Sequence, residues 1–400
     1  VKEKMKVCFY FQVHQPMRLA KYNIFSEDSG ALFDKYFDHE LNKQIMHKVA
    51  NKCYLPANRI LLESLEKYPN MHIAFSITGV FLEQAKMYYP EVIESFRALA
   101  KTSRVEFLSE TYYHSLSCLM ENKQEFFEQI KLHQQAIAQF SKPSNVLRNT
   151  EAMFSNSIAA LAQQMGFEGI MTEGYEKILG WRSPNYVYKV AGLDKIKVLL
   201  RHYKLSDDIG YRFSLKTWNE WPLTADKYAR WLSQLQGDCV NIFMDYETFG
   251  EHHWEDTGIF KFLEHLWGEI DKYKHLELVT PQQLVRDVEP KGEIDCPEVI
   301  SWADMERDTS AWLGNEMQLS AWNELVQLEP HIKQLNDEEL LMVWRHLQNS
   351  DHLYYCCTKS LSDQDVHNYF SHYDSPFESY INYMNIIEDL KEEVKNRLKK

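Results

Sequence analysis

The residues that could do chemistry gather where apolar runs stop. Asn241 to Met244 reads as a buried strand, and it ends in Asp245 and Glu247, within the stretch "MDYETFGEHHW". A second run, Asn145 to Asn149, leads to Glu151 in "VLRNTE". Two carboxylates across a cleft are what glycosidic bond cleavage needs. One stays ionised and attacks the anomeric carbon or positions water, while the other holds a proton for the leaving oxygen. Like charges in one site push carboxyl pKa values apart, which lets a pair divide the work. A carboxylate pair alone is a weak signal in a chain with 58 acidic residues, so the other polar strand ends matter.

Those ends are rich in carboxylate, histidine and arginine. The first strand runs into Gln12, His14 and Gln15. The third contains Glu106 and is followed by Glu110 and His114. The fifth ends at Glu173, the sixth at Arg201 and His202. The histidines, with nearby acids, could hold zinc as in metal-dependent hydrolases and deacetylases. No HExxH and no paired CxxC occurs, and His252 and His253 on a helix would point about 100° apart. No catalytic metal and no cofactor is expected. GxSxG, GxGxxG and GxxxxGK[ST] are absent, which removes the signatures of a serine triad and of a nucleotide cradle. One further stretch, "SWADMERDTSAWLGN" at 301–315, reads as a helix. On it Asp304, Asp308 and Trp312 would share a face and either overhang the site with a sugar-stacking ring or simply pack tryptophans inward.

The elements that must position these residues are short. Seven strand-like runs are predicted: Val7 to Val13, His72 to Ile77, Val105 to Leu108, Asn145 to Asn149, Gly169 to Met171, Ile196 to Leu200 and Cys239 to Met244. Each is apolar or β-branched and bounded by polar or turn residues. Helical periodicity fills several gaps, over 90–101, 122–140 and 155–165, the last opened by a serine cap. Strands alternating with helices predict a parallel sheet closed or nearly closed into a barrel, with all C-terminal strand ends on one face. Past residue 285 the Pro-rich run "TPQQLVRDVEPKGEIDCPEVIS" reads as a connector, and the rest as helices, ending in an amphipathic one over 376–398. The expected division is a barrel over 1–285 and a helical region over 286–400.

Composition limits the class. A formal charge of −14 disfavours nucleic acid and gives no support for an anionic membrane surface. No run approaches 18 apolar residues, so no membrane span is expected. Seven cysteines without regular spacing do not make a disulfide framework. With no apolar leader in "VKEKMKVCFYF", a reducing cytoplasmic setting is expected. The 54 aromatic residues (10 Trp, 23 Tyr, 21 Phe) are mostly core, with a minority available as platforms for sugar rings.

In order along the chain, "VHQP" at 13–16, "RVEFLSE" at 104–110, "RNTE" at 148–151, "MDYETFGEHHW" at 244–254 and "SWADMERDTSAWLGN" resemble the five sequence regions of glycoside hydrolase family 57, in particular its α-amylase-type members. The resemblance runs from about residue 7 to about 315, and the tail "VHNYFSHYDSPFESYINYMN" also looks like that subgroup. It implies an incomplete barrel of seven strands and seven helices followed by a helical region. It also implies a retaining mechanism on α-glucans without a catalytic metal. By that resemblance Glu151 is the nucleophile and Asp245 the acid/base. Gln12, His14, Glu106, Glu247, Asp308 and Trp312 would contact substrate. The expected substrate is a malto-oligosaccharide, starch or glycogen. A 4-α-glucanotransferase or branching activity in the same site is the nearest alternative. A metal-dependent carbohydrate deacetylase and a non-catalytic glucan-binding protein are remoter ones. The sequence leaves the oligomeric state open.

Overall fold

The computed structural model describes residues 4–22, 30–359 and 369–399. The three residues 366–368 of the family-like tail stretch lie outside these ranges. Ten strands share one sheet: β1 (Met5–Val13), β2 (Ile73–Ile77), β3 (Val105–Phe107), β4 (Val146–Leu147), β5 (Gly169–Glu173), β6 (Tyr188–Val190), β7 (Lys197–Arg201), β8 (Cys239–Asp245), β9 (Leu276–Leu278) and β10 (Glu293–Ile294).

The seven predicted strands are β1–β5, β7 and β8, and they form a parallel ring. The strongest seam joins β1 to β8, from Lys6↔Cys239 to Gln12↔Asp245. Two seams are thin. Beyond β3, Ser109 bridges Leu147 of β4, and β7 meets β8 only at Arg201↔Asn241. Side-chain alternation splits each strand. Val7, Phe9 and Phe11 face the surrounding helices, whereas Cys8, Tyr10, Ala74, Leu108, Met171, Leu199 and Phe243 fill the barrel interior. Burial on both faces is why these strands read as continuous apolar runs.

Three short strands are additional. β6 pairs antiparallel with β7, β10 lies parallel to β6, and β9 adds to β1. The sheet therefore extends to residue 294, beyond the boundary expected at 285. These pieces are too short, and too exposed at Lys189 and Glu293, to leave an apolar signature.

The predicted helices form over Pro90–Ala100, Gln124–Ile137 and Asn156–Gln164. In the last, the Ser155 hydroxyl accepts from the Ile158 N–H at 3.2 Å. The tail helix runs over Pro376–Leu398, capped by Ser375 and burying Tyr383, Ile386, Ile387, Leu390 and Val394. A buried ion cluster pins the tail to the barrel. Arg345 and Lys333 reach Glu125 of Gln124–Ile137 at 2.8 and 2.7 Å. The stretch 301–315 departs from expectation. Positive φ at Asp304 and Arg307 breaks it into turns, and only Ser310–Leu313 is helical. All seven cysteines are free and buried. Among the described residues no helix is long and apolar enough to cross a membrane.

Candidate active site

Glu151 follows β4 in a tight turn. Its own φ is +56° and that of Ala152 is +52°, a left-handed geometry that costs a residue with a side chain about 1–2 kcal/mol. The turn directs the carboxylate at donors from three separate parts of the chain. His114 Nε2 lies 3.0 Å from Oε1, and the Ser350 hydroxyl donates to the same oxygen at 2.9 Å. The Trp302 indole N–H donates to Oε2 at 2.8 Å. Burial alone would raise this carboxyl, but the charge and hydrogen bond of His114 overcome it and hold Glu151 below the usual carboxylate range.

His114 owes its charge to a ring of acids. Burial would strip its proton, yet Glu151, with a second contribution from Glu110, carries its pKa up to about 10. His14 stacks on it, centroids 4.1 Å apart, and two imidazolium rings at that distance repel. The His14 pKa is lowered, first by burial and then by His114. The neutral ring sits between the Thr78 hydroxyl on Nδ1 (2.8 Å) and the Asp351 carboxylate on Nε2 (2.9 Å). This fits a tautomer donating from Nε2. Gln12 lies beneath, its amide donating to Ser76 O at 2.9 Å and to Glu110 at 3.2 Å.

Asp245 ends β8 in register with Gln12. Burial first, and then the charge of Glu151, push its pKa from 3.8 up to about 6. The two candidate catalytic carboxyls thus sit in one electrostatic field and are moved in opposite directions. Arg148 acts on the pair through its charge, with no hydrogen bond to either carboxyl among the described contacts. Its guanidinium lies 4.6 Å from the Phe243 ring centre and 5.4 Å from that of Trp302, and both Glu151 and Asp245 feel its charge.

Glu247 is also in the site, but in a different state from the one its position suggests. The strand stops at Asp245, and the turn Tyr246–Thr248 folds Glu247 inward until it is buried. The Tyr54 hydroxyl donates to it at 2.5 Å, and Gln15 donates to that hydroxyl at 3.0 Å. Burial and the neighbouring Asp245 push Glu247 up to about 8. The resemblance places Glu247 among the substrate contacts; the structure buries it against Tyr54 and favours its neutral form.

Three sequence candidates fall elsewhere. Glu106 lies inside the barrel, paired in register with Ala74 and through it with Tyr10, two residues below Gln12. There it accepts from the Gln282 N–H at 2.9 Å, and from Ser144, and closes the barrel floor. Asp308 is exposed and accepts from the Ser310 N–H at 2.8 Å. Trp312 is fully buried against Tyr354. The ring that reaches the site from this stretch is Trp302. Glu110 and His114 were visible as polar residues after the third strand. Arg148 was visible only as the first residue of "RNTE", and Ser350, Asp351 and Tyr54 carried no signal of their own.

One group among the described residues has metal-ligand chemistry, His14 with His114 and Asp351, whose donor atoms fall within 4.8 Å of one another. The two rings stack with centroids 4.1 Å apart and planes 27° apart. Three of the four ring nitrogens already contact Thr78, Asp351 and Glu151. The arrangement reads as a hydrogen-bonded frame for Glu151. His252 and His253 do not converge: His253 contacts Ser214 at 2.6 Å and Gly210 O at 3.2 Å, while His252 packs near Tyr369 and Phe370.

A parallel barrel with Glu151 and Asp245 in one electrostatic field at its strand ends, flanked by a helical tail, fits a glycoside hydrolase. The chain belongs to glycosyl hydrolase family 57, whose profile matches residues 8–297. A Methanocaldococcus jannaschii protein provisionally named an alpha-amylase is 48% identical over 99% of this chain and 86% of its own. The structure of a branching enzyme of the same family from Thermococcus kodakaraensis superposes with a TM-score of 0.66 at 14% identity, over 98% of this chain and 94% of that one. The 4-alpha-glucanotransferase of Thermococcus litoralis gives 0.66 at 17%, over 88% and 56%. At these identities the two structures speak to the fold alone.

Proposed function

We propose that this enzyme cleaves α-1,4-glucosidic bonds of malto-oligosaccharides, starch or glycogen with retention, as an α-amylase-type hydrolase. The carrying observation is the contrasting surroundings of the two carboxyls: Glu151 faces His114, which lowers its pKa, and accepts from Ser350 and Trp302, whereas burial and the charge of Glu151 raise that of Asp245. A Glu151 oxygen attacks the anomeric carbon as the glycosidic C–O bond breaks, and the Asp245 proton passes to the departing oxygen. The result is a glycosyl ester on Glu151 and a carboxylate on Asp245. Asp245 then takes a proton from water as that water attacks the anomeric carbon, the ester bond breaks, and both carboxyls return to their starting states. Oxocarbenium-like charge in the transition state is met by the ionised Glu151.

If a sugar hydroxyl replaces water in the second step, the same site performs transglycosylation. The alpha-amylase name of the Methanocaldococcus relative favours hydrolysis. The test is to incubate the enzyme and its Glu151→Gln variant with maltoheptaose and identify products over time. Shorter sugars alone, absent in the variant, support the proposal. A ladder including longer sugars makes the enzyme a transferase, and turnover by the variant removes Glu151 as nucleophile.

A further inference from the structure

Next to the catalytic bowl lies a groove of about 920 Å³ whose lining includes Asn51, Lys52, Arg59, Gly250 and Trp254. We infer that it is an accessory α-glucan-binding site, which holds a stretch of the same polymer away from the bond being cleaved. The inference rests on the glucan reading of the active site, and it adds a second place of contact.

The first argument is chemical. Trp254 keeps 59% of its surface exposed, a large apolar area for a soluble enzyme to leave in water. It shares the lining with the apolar Pro56, Ile60 and Phe260 and with the polar Asn51, Arg59, Glu255 and Asp256. A glucose ring presents an apolar C–H face for a flat aromatic and hydroxyls around its edge for amide, guanidinium and carboxylate groups. This mixture suits that ligand better than an apolar partner or a polyanion. The groove carries acids and bases together, so no net charge selects a charged polymer.

The second argument is rigidity. The Lys52 ammonium sits 4.5 Å from the Trp254 ring centre and pairs with Glu251 at 3.1 Å, which fixes the indole by a cation–π contact. Beneath it the chain has no slack: a Cβ added to Gly250, whose φ is +115°, would lie 1.9 Å from Lys52 O. The backbone after β8 is therefore locked onto the turn at Ala50–Tyr54, a wider helical turn with i to i+5 hydrogen bonding. A groove that is preformed loses little entropy on binding.

The third argument is continuity. Lys52 is two residues from Tyr54, which holds Glu247, and Cys53 between them donates to Tyr246 O at 3.2 Å. Gly250 is three residues past Glu247, and the N–H groups of Glu251 and His252 bond back to Glu247 O. The two segments that hold Glu247 therefore also line the groove, within three residues, at Lys52 and Gly250.

The test compares the enzyme with Trp254→Ala, Trp254→Phe and Arg59→Ala, each checked for an unchanged melting temperature. Electrophoresis in gels containing glycogen reads binding without needing turnover. Losing one aromatic contact should raise the apparent dissociation constant roughly five- to tenfold. Trp254→Phe should recover most of it, and Arg59→Ala should weaken binding in the same direction. In parallel, the ratio of kcat/KM for glycogen to that for an aryl maltoside should fall in Trp254→Ala. Unchanged retardation and an unchanged ratio in Trp254→Ala overturn the groove while leaving the catalytic reading intact. Absence of any retardation of the parent enzyme overturns it as well. Failure of the parent to cleave either substrate instead strikes the proposed function, and the gel still reads the groove.

Discussion

Replacing Asp245 by asparagine should make the protein more stable at alkaline pH while disabling it, and the amount can be worked out. In the folded chain the Asp245 carboxyl titrates near 6 against an ordinary 3.8, a difference of roughly two units. At about 1.4 kcal/mol per unit this is at most about 3 kcal/mol. Between those two values the folded state holds a proton that the unfolded chain has released, so stability falls as pH rises, and above the folded value the full penalty applies. The carboxyl retains some contact with water, so about 1–2 kcal/mol is the working figure. An asparagine carries no such penalty, and removing the Asp245 charge also relieves Glu247, which Asp245 helps to raise. Wild type and Asp245→Asn should be unfolded by urea at pH 4 and pH 8. The variant should be close to wild type at pH 4 and more stable by that amount at pH 8. An equal difference at both pH values would show that Asp245 is not held protonated by the fold, and the division of labour between the two carboxyls would lose its basis.

The same proton governs turnover. kcat/KM should fall on the alkaline side of about pH 6, as Asp245 loses its proton. Asp245→Asn should cripple substrates with poor leaving groups yet spare the first step on activated aryl glycosides. Azide should rescue its turnover, whereas the same signature in Glu247→Gln would reverse the assignment. Prolonged chelator treatment should leave activity intact, and loss restored by zinc would place an ion at His14, His114 and Asp351. Cutting the chain near residue 290 should abolish activity even where a folded barrel survives, because Trp302, Ser350 and Asp351 leave with the tail. Full activity in residues 1–290 would show those contacts to be dispensable.

Much of the barrel was legible because its strands are buried twice. Cys239–Met244 shows no alternation and is apolar but for Asn241, and that is what two covered faces produce. Lys189 and Glu293 interrupt β6 and β10, so those strands left no trace. Glu151 and Asp245 were legible as carboxylates at strand ends and by resemblance to family motifs. Glu106, expected to contact substrate, sits low for a geometric reason. It lies within β3, height along the barrel axis is set by register, and Glu106 pairs through Ala74 to Tyr10 rather than at the level of Gln12. No local pattern reveals register between strands separated by dozens of residues. Ser350 and Asp351 were hidden more deeply, since their only local role is to begin a short helix, Ser350–Tyr354. Their chemistry exists only once the tail lies against the His114 loop, where the Ser350 N–H meets His114 O at 2.9 Å.

Glu247 shows what spacing can and cannot say. Two residues beyond Asp245, on a continuing strand, it would share that side chain's direction and reach water. The strand ends, the turn Tyr246–Thr248 buries the carboxyl against Tyr54, and the acid becomes neutral. The charges of the bowl explain why neither acid ionises readily. Glu110, Glu151 and Asp351 are held ionised, each with an imidazole bound to it or facing it. Against three negative charges stand the His114 imidazolium and the Arg148 guanidinium. Arg201, the next cation, is spent on Glu173 at 3.0 Å and Asp207 at 2.7 Å. A fourth negative charge on Asp245 would have no cation of its own. Its proton is therefore a property of the whole constellation, and it leaves most readily when the negative charge on Glu151 disappears into a glycosyl bond.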